Sequence, residues 1–220
     1  MAIEQPAFDI LKSLAPCRAL FLGYPDLLLN EQFDVKEADD WQRIAAWHGW
    51  DGPIYDTDAV LREFGIDATY IDIHASRGPE LIYDLNETIP WVAPKFDVVV
   101  DAGTIEHCFN IATAMWNVRK LCVVGGHMLH GNPISMTGHG FYNLSPTFYA
   151  DWARHNGDII ITALILAGRI GARDVYEMPM TKRFSPPAKA NSLVLIKRGE
   201  GWGRGWPMQG KYLENPDLKA

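Results

Sequence analysis

Short apolar runs separated by polar stretches recur along the chain, and this pattern predicts buried strands with helices or loops between them. The clearest run is Phe96–Asp101, where three consecutive valines lie between polar residues. Similar runs occur at 18–23, 68–73, 127–130, 159–167 and 192–197. The chain is therefore expected to form a sheet built from these segments.

Capping residues, glycine and proline mark helix boundaries in the intervening stretches. The expected helices are 7–15, 58–64 with Thr57 as its cap, one from Ile105 with Thr104 as its cap, and one from Ser145-Pro146 to Gly157. Gly125-Gly126 is read as the turn that introduces the strand at 127–130. Alternation of strands and helices predicts an α/β protein with a doubly wound, mainly parallel, Rossmann-like sheet. No clear helix separates 159–167 from 192–197, so these last two strands are expected to be an antiparallel pair.

A length of 220 residues suits a single domain, taken as 1–220. The stretch at about 24–54 is longer than an ordinary connection and carries Trp41, Trp47 and Trp50. It is compatible with a lid or docking surface, or with a helical hairpin packed on the sheet. The region 199–220 is rich in glycine and tryptophan and is expected to be an irregular tail.

Composition narrows the functional class. The chain has 20 basic and 27 acidic residues, a net charge of −7, which disfavours nucleic acid as the partner. Three cysteines without metal-type spacing favour reduced thiols and a cytoplasmic location. The N-terminus lacks the pattern of a signal peptide, and the apolar run Ile159–Gly168 is too short to cross a membrane.

Ionisable residues follow the strand at 96–101. Asp101, Glu106 and His107 lie at its carboxyl end, which is where open α/β sheets bind ligands. The functional interpretation is ligand contact by Glu106 and His107. The alternative is that both residues only cap and pack the start of the next helix.

Several segments together resemble the class I S-adenosylmethionine-dependent methyltransferases. The resemblance covers about residues 68–165, and it rests on Asp72 in Tyr70-Ile-Asp-Ile-His74, Asp84-Leu85-Asn86 followed by Ile89-Pro90, Glu106-His107, and Leu121–Gly126. It implies the class I methyltransferase fold and S-adenosylmethionine as cofactor. The first turn departs from the family, because Gly23 is its only glycine and Tyr24-Pro25 follows directly.

The resemblance also implies roles for individual residues. Asp72 is expected to accept the ribose hydroxyls of the donor, and Asp84 with Leu85 to contact its adenine. Gly23 would lie against the donor in the first turn, and Asp26 would bind its ammonium group. Asp101 and Glu106 complete the predicted cofactor-binding residues.

The segment His139-Gly-Phe-Tyr142, before Ser145-Pro146, resembles a variant subgroup of methyltransferase-like proteins. His139 is a candidate general base because imidazole titrates near neutral pH, and His107 is a second candidate. Tyr142 is expected to orient the acceptor. The alternative is that His139 only forms a hydrogen bond with a neighbouring loop.

No metal site is predicted. His127, His130 and His139, with His107 nearby, are the histidines that could gather a metal. However, His127 and His130 fall on opposite faces of their strand, which separates the simplest ligand set. The chain also lacks a Gly-x-Ser-x-Gly nucleophile motif and a phosphate-binding loop ending in Gly-Lys-Ser/Thr.

Three functional hypotheses remain at this point. The first is methyl transfer to a small molecule, at a hydroxyl of a sugar-like compound or secondary metabolite. The second keeps the fold but assigns it a lyase, hydrolase or isomerase reaction. The third is a non-catalytic protein that binds a partner, and a homo-oligomer is compatible with each of them.

Overall fold

The centre of the protein is an eight-stranded sheet, described here from a computed structural model covering residues 1–75, 77, 80–90, 95–201 and 206–214. The strands are β1 (Ala2–Glu4), β2 (Cys17–Leu22), β3 (Asp26–Leu28), β4 (Ile66–Asp72), β5 (Leu81–Ile82), β6 (Phe96–Asp101), β7 (Cys122–His130), β8 (Ile159–Arg169), β9 (Ala172–Glu177) and β10 (Asn191–Lys197). The helices are α1 (Gln5–Ser13), α2 (Trp41–His48), α3 (Thr57–Glu63), α4 (Ile111–Leu121), α5 (Pro146–Asn156) and α6 (Gly210–Glu214).

The main sheet has the order β5-β4-β2-β6-β7-β10-β8-β9. The first five strands in this order are parallel, whereas β10 is antiparallel to both β7 and β8. The predicted α/β class, the mainly parallel sheet and the antiparallel pairing of the last two predicted strands are therefore confirmed. The carboxyl ends of β2, β4, β6 and β7 meet at one edge, where the candidate site lies.

Both faces of this sheet are covered by helices. Leu20 and Leu22 of β2 belong to a core cluster that includes buried residues of α4 and α5. Ala19 and Phe21 point to the opposite face and join a second cluster, to which α1 and α3 contribute. This alternation is expected of a strand buried on both faces, and it explains why β2 reads as a continuous apolar run.

Several predicted boundaries need correction. The cap of α3 is Asp56, whose carboxylate accepts the Ala59 N–H, and Thr57 is already within the helix. The segment from Ile105 is a short 3-10 turn ending at His107, and α4 begins only at Ile111 with Asn110 as its cap.

Thr104 does not cap a helix, because its hydroxyl donates to the Leu22 carbonyl. Ser145 precedes α5 without a capping bond from its side chain, although Pro146 and Gly157 bound the helix as predicted.

The Gly-Gly pair before His127 is a bulge within β7 rather than a turn before it. The pairing of β6 with β7 shifts register there, and Gly125 has a φ of 81°. A Cβ on Gly126 would lie 2.6 Å from the Asp97 carbonyl oxygen. Glycine therefore allows the strand to continue from Cys122 through the bulge.

The insertion at 24–54 contains β3 and a helix, α2, in place of two helices. β3 pairs with β1 in parallel, and α2 packs with both against Ile170 in the turn between β8 and β9. The Trp50 ring lies against the backbone of Gly171, where an added Cβ would overlap it, whereas Trp47 is 75% exposed. The tryptophans thus have different roles, and Trp50 is mainly a packing residue.

The link between 167 and 192 contains β9, an edge strand that the sequence pattern did not indicate. Within the described part of the chain, β9 pairs only with β8, and it exposes most of its side chains. In the predicted tail, α6 is described, and residues 202–205 and 215–220 lie outside the described residues. None of the helices described is long and apolar enough to cross a membrane.

Candidate active site

Gly23 forms one side of a cradle at the carboxyl edge of the sheet. It follows β2 with a φ of 92°, and its N–H donates to the Ile71 carbonyl of β4 at 2.7 Å. A Cβ on this residue would lie 3.4 Å from Oδ2 of Asp72. The strand end and the acidic residue are therefore neighbours, and the positive φ explains why glycine stands there.

The side chain of Met1 lies in this cradle. Its Sδ is 3.5 Å from Oγ1 of Thr104, and its Cε is 3.3 Å from the position of a Cβ on Gly23. The space between Gly23, Asp72 and Thr104 thus accepts an unbranched thioether chain. Any ligand that enters this space must displace the Met1 side chain.

Asp72 closes the end of β4. Its Oδ1 accepts the N–H groups of Ile73 at 2.6 Å and His74 at 3.3 Å, which fixes the carboxylate. Oδ2 is the oxygen nearer to Gly23. Asp72 is only partly buried, so a ligand hydroxyl can reach this oxygen.

Asp84 and Leu85 lie in a turn that follows β5, at the same carboxyl edge of the sheet as Asp72. Asp84 is exposed, and its Oδ1 accepts both the backbone N–H and the side-chain amide of Asn86 at 2.8 Å. Leu85 is buried, and its carbonyl accepts a hydrogen bond from Asn117 of α4. The turn is thereby held against α4 with the Asp84 carboxylate at the surface.

Asp26 is placed differently from the expectation. It is buried, and its two carboxylate oxygens contact His48 Nε2 at 3.0 Å and Arg77 Nη2 at 2.6 Å. These contacts connect the end of α2 to the loop after β4. A role in binding the donor ammonium does not fit this placement, because both oxygens already bind side chains of the protein.

Asp101 organises the turn after β6. Its Oδ1 accepts the N–H groups of Thr104 and Ile105, and its Oδ2 accepts from Nδ1 of His130 at 2.9 Å and Nδ2 of Asn132 at 3.0 Å. The residue is fully buried. Four hydrogen bonds use both oxygens, so Asp101 positions the turn and does not face the cradle.

Glu106 is also fully buried, and its Oε2 accepts from Nδ2 of Asn132 at 3.1 Å. Its Oε1 has no hydrogen-bond donor among the residues described. Burial, reinforced by the negative charge of Asp101, raises the pKa of Glu106 to about 8. The 3-10 turn thus presents a carboxyl group that is costly to ionise without a cation nearby.

His107 and His139 lie beside this carboxyl group. Nε2 of His107 is 3.8 Å from Oε1 of Glu106, and Nε2 of His139 is 3.5 Å from the same oxygen. The two rings are 5.2 Å apart. Desolvation, together with the charge of His139, lowers the pKa of His107 and favours its neutral form.

Gly140 brings the two histidine-bearing segments together. The N–H groups of Phe141 and Tyr142 donate to the Glu106 carbonyl at 2.9 and 3.3 Å. A Cβ on Gly140 would lie 2.9 Å from that carbonyl oxygen and 3.2 Å from Nδ1 of His107. This close approach requires glycine and holds residues 139–142 against the 3-10 turn.

Two exposed aromatic residues follow the histidines closely in sequence, Phe109 after His107 and Phe141 after His139. Phe109 and Phe141 are 73% and 64% exposed, and their ring centroids are 5.4 Å apart in an edge-to-face arrangement. The Tyr142 hydroxyl donates to the Phe109 carbonyl at 2.8 Å. This hydroxyl therefore braces the aromatic pair.

A separate groove of about 880 Å³ lies between the start of α5, residues 179–186 and α6. None of the predicted catalytic residues lines this groove. The candidate site is therefore the carboxyl edge of the sheet, defined by Gly23, Asp72, Thr104, Glu106 and the two histidines.

Sequence reasoning missed Asn132 and Gly140. Asn132 follows β7 and binds both buried carboxylates, and its Oδ1 accepts the Tyr149 hydroxyl at 2.6 Å. Its place after an apolar strand was the available signal, because polar residues at this edge often serve a site. Gly140 carried no signal of its own beyond its place between His139 and Phe141.

Comparison with known proteins gave likeness in structure only. No family model matches the chain, and no curated protein matches it. The N-methyltransferase NodS from Bradyrhizobium japonicum WM9, solved with S-adenosyl-l-homocysteine, superposes with a TM-score of 0.52 at 14% identity over 89% of this chain and 87% of its own.

Weaker likeness extends to two further structures. TehB from Haemophilus influenzae has a TM-score of 0.45 at 13% identity, over 90% of this chain and 63% of its own. An O-methyltransferase family protein from Burkholderia thailandensis has a TM-score of 0.45 at 16% identity, over 90% and 57%. The strand order and the superposition on NodS together show that this chain has the class I methyltransferase fold.

Proposed function

We propose that the protein transfers a methyl group from S-adenosylmethionine to a hydroxyl of a small molecule. The main support for this proposal is the cradle between Gly23, Asp72 and Thr104, which accepts a thioether chain. The imidazoles of His107 and His139 lie at the same edge of the sheet. The fold supports this function, and NodS was solved with the demethylated donor, S-adenosyl-l-homocysteine. Fold alone does not assign chemistry, so the proposal rests on the site residues.

The residues present fit the donor at several points. The methionine part of the donor would take the place of the Met1 side chain, which has the same unbranched carbon chain up to the sulfur. Oδ2 of Asp72 would accept the ribose hydroxyls, and the turn at Asp84 and Leu85 would border the adenine. The bound donor supplies an electrophilic methyl group on a sulfonium centre.

His139 and His107 would remove the proton of the acceptor hydroxyl. A neutral imidazole can accept a proton, and the lowered pKa of His107 keeps it neutral near pH 7. Both rings are about half exposed, so an acceptor can reach them from solvent. Positioning of the acceptor against the donor supplies much of the rate in such reactions.

The surroundings favour an acceptor with a ring. Phe109 and Phe141 present exposed faces next to the histidines, and aromatic faces bind sugar rings and planar metabolites well. Tyr142 would orient the acceptor indirectly, through the Phe109 carbonyl that it binds. These features support a sugar-like compound or a secondary metabolite as acceptor.

Calorimetric titration with S-adenosylmethionine and S-adenosyl-l-homocysteine tests the donor site. Both should bind, and Asp72→Ala should weaken both by at least about tenfold, the value of one or two hydrogen bonds to a charged group. Asp67→Ala is the matched control, because Asp67 is an exposed aspartate at the opposite end of β4. Equal losses in the two variants would contradict the assignment of Asp72.

The role of His139 is tested by transfer of labelled methyl groups to a panel of phenolic and sugar hydroxyls. His139→Ala should slow transfer while leaving donor affinity unchanged. A loss of donor affinity without a loss of turnover would overturn this role. A folded protein that binds neither compound would instead favour a different reaction or a partner-binding role for this fold.

A further inference from the structure

Oε1 of Glu106 belongs to a side chain that is fully buried, yet no donor among the described residues binds it. Nε2 of His139 lies 3.5 Å from this oxygen, and Nε2 of His107 lies 3.8 Å from it. One ligand atom from each of the three residues lies within 4.8 Å of the others. A buried carboxylate oxygen therefore faces two imidazole nitrogens with no hydrogen bond to satisfy it.

We propose that Glu106, His107 and His139 bind a divalent transition-metal cation of the Zn²⁺ class. One carboxylate and two imidazoles form a ligand set that suits zinc, iron, cobalt and nickel rather than magnesium or calcium, which prefer oxygen. The cluster differs from the His127 and His130 combination that the strand alternation argues against.

The ligand atoms need only small movements to reach coordination distances. Around a tetrahedral ion with bonds of about 2.0–2.1 Å, neighbouring ligand atoms are about 3.4 Å apart. The two Glu106–histidine distances are already near this value. The histidine side chains are 48% and 46% exposed, so rotation about their χ angles can close the remaining separation.

The carboxylate is held in place by contacts that leave one oxygen available. Nδ2 of Asn132 donates to Oε2 of Glu106, which directs Oε1 toward the histidines. The backbone of residues 141–142 binds the Glu106 carbonyl and keeps His139 on the same side. Orienting contacts of this kind are typical of metal sites, whose ligands are positioned by a second layer of hydrogen bonds.

A cation would also compensate the cost of burying this group. An ionised carboxylate removed from water needs a partner of opposite charge, and Asn132 satisfies only one of its oxygens. Three protein ligands leave at least one position for solvent or an acceptor hydroxyl, as in catalytic zinc sites. The cation site goes beyond the proposed function and does not require donor binding, so titration with donor and titration with zinc test the two proposals separately. With the cation bound, the acceptor hydroxyl would be activated by the cation rather than by the imidazole nitrogens that hold it.

The test is binding of Zn²⁺ to the tag-free protein, measured by competition with a chromophoric chelator, and of Co²⁺, measured by its visible absorption. We expect one Zn²⁺ per chain and a Co²⁺ spectrum typical of nitrogen and oxygen ligands. Glu106→Gln, His107→Ala and His139→Ala should each weaken Zn²⁺ binding by at least about tenfold. Mg²⁺ in excess should not displace the zinc.

His155→Ala is the matched control, because His155 lies in the last turn of α5, outside the cluster. Circular dichroism confirms that each variant is folded, and the exposed positions of His107 and His139 make their variants less disruptive than Glu106→Gln. Absence of stoichiometric Zn²⁺ binding would overturn the proposal. So would equal binding by wild type and His139→Ala, or an equal loss in His155→Ala.

Discussion

The side-chain amide of Asn132 donates from Nδ2 to Oε2 of Glu106 at 3.1 Å, and both side chains are fully buried. The same nitrogen donates to Oδ2 of Asp101 at 3.0 Å. One amide thus separates two buried carboxyl groups that would otherwise repel each other if both were ionised. This bridge fixes the 3-10 turn that carries His107.

Replacing the amide should therefore be costly. Asn132→Ala leaves Oε2 of Glu106 buried without its donor and removes one of the two donors to Oδ2 of Asp101, so we expect the free energy of unfolding to fall by about 3 kcal/mol. Tyr149→Phe removes only the hydroxyl that binds Oδ1 of Asn132, and should cost about 1 kcal/mol. Urea denaturation followed by tryptophan fluorescence measures both values, and similar losses in the two variants would argue against the bridge.

Gly140→Ala should separate the histidine-bearing segments. The added Cβ would lie 2.9 Å from the Glu106 carbonyl oxygen, so residues 139–142 must move outward. We expect Zn²⁺ affinity and methyl transfer to fall by at least about tenfold, with about 1 kcal/mol or less lost in stability. Gly138→Asn is the control, since nothing lies within 4 Å of a Cβ there and asparagine tolerates the positive φ of 79°.

Loss of zinc affinity in both of these glycine variants to the same degree would mean that loop rigidity, rather than the close approach at Gly140, controls the site. Unchanged affinity in Gly140→Ala would show that the loop adapts to the added methyl group.

Shortening the side chain at position 1 should favour donor binding. A protein released from an N-terminal fusion with glycine in place of methionine, Met1→Gly, removes the thioether from the cradle. The donor then displaces less buried apolar surface, which we expect to improve its Kd about fivefold, or about 1 kcal/mol. The control is the same cleavage product with Met1 retained, and calorimetry gives both constants. Equal or weaker binding by Met1→Gly would place the donor elsewhere.

The buried cysteine thiols should make the stability of the folded protein depend on pH. Burial raises the pKa of Cys122 and Cys108 to about 12 and that of Cys17 to about 11, against an ordinary value of 9.0. Because the folded state disfavours the thiolates, their contribution to stability is complete below pH 9 and is lost as the pH rises from 9 toward 12. The urea concentration at the unfolding midpoint should therefore decrease when the pH is raised from about 8.5 to about 10.5, because free thiols titrate near the lower part of this range.

The same thiols should react slowly with a disulfide reagent at pH 8 in the native protein, and all three should react on unfolding. Rapid reaction of Cys122 in native buffer would contradict its burial. Cys122→Ala should reduce the fall in stability at high pH, which separates the thiol effect from titration of lysine and tyrosine.

The fold could largely be predicted from the sequence, because a strand that is buried on both faces is a continuous run of apolar residues. Phe96–Asp101 and the strand ending at Leu22 were located in this way. β9 was not predicted, because an edge strand can leave most of its side chains exposed. Arg173, Asp174 and Glu177 give this strand a polar pattern. The bulge at Gly125 was misread because its cause is a register shift against β6, which is a tertiary contact.

The site was accessible in part. Strand ends predicted that Asp72, Glu106 and His107 would lie at one edge, since parallel strands share their carboxyl ends. The same reasoning could not tell a ligand-facing acid from a structural one. Asp26 and Asp101 both occupy expected positions, but their carboxylate oxygens bind other side chains of the protein. Asp26 binds His48 and Arg77, and Asp101 binds His130 and Asn132. Such pairing depends on partners distant in sequence, which no local pattern reveals.

The exposed edge of the sheet at β9 affects the solubility of the protein. A free strand edge offers unpaired amide and carbonyl groups to another chain, and Val175 and Tyr176 are about half exposed there. Arg173 is held by Glu4, while Asp174 and Glu177 place negative charge along the same strand. Like charges brought together by edge-to-edge stacking would repel, so this strand discourages the growth of a continuous intermolecular sheet.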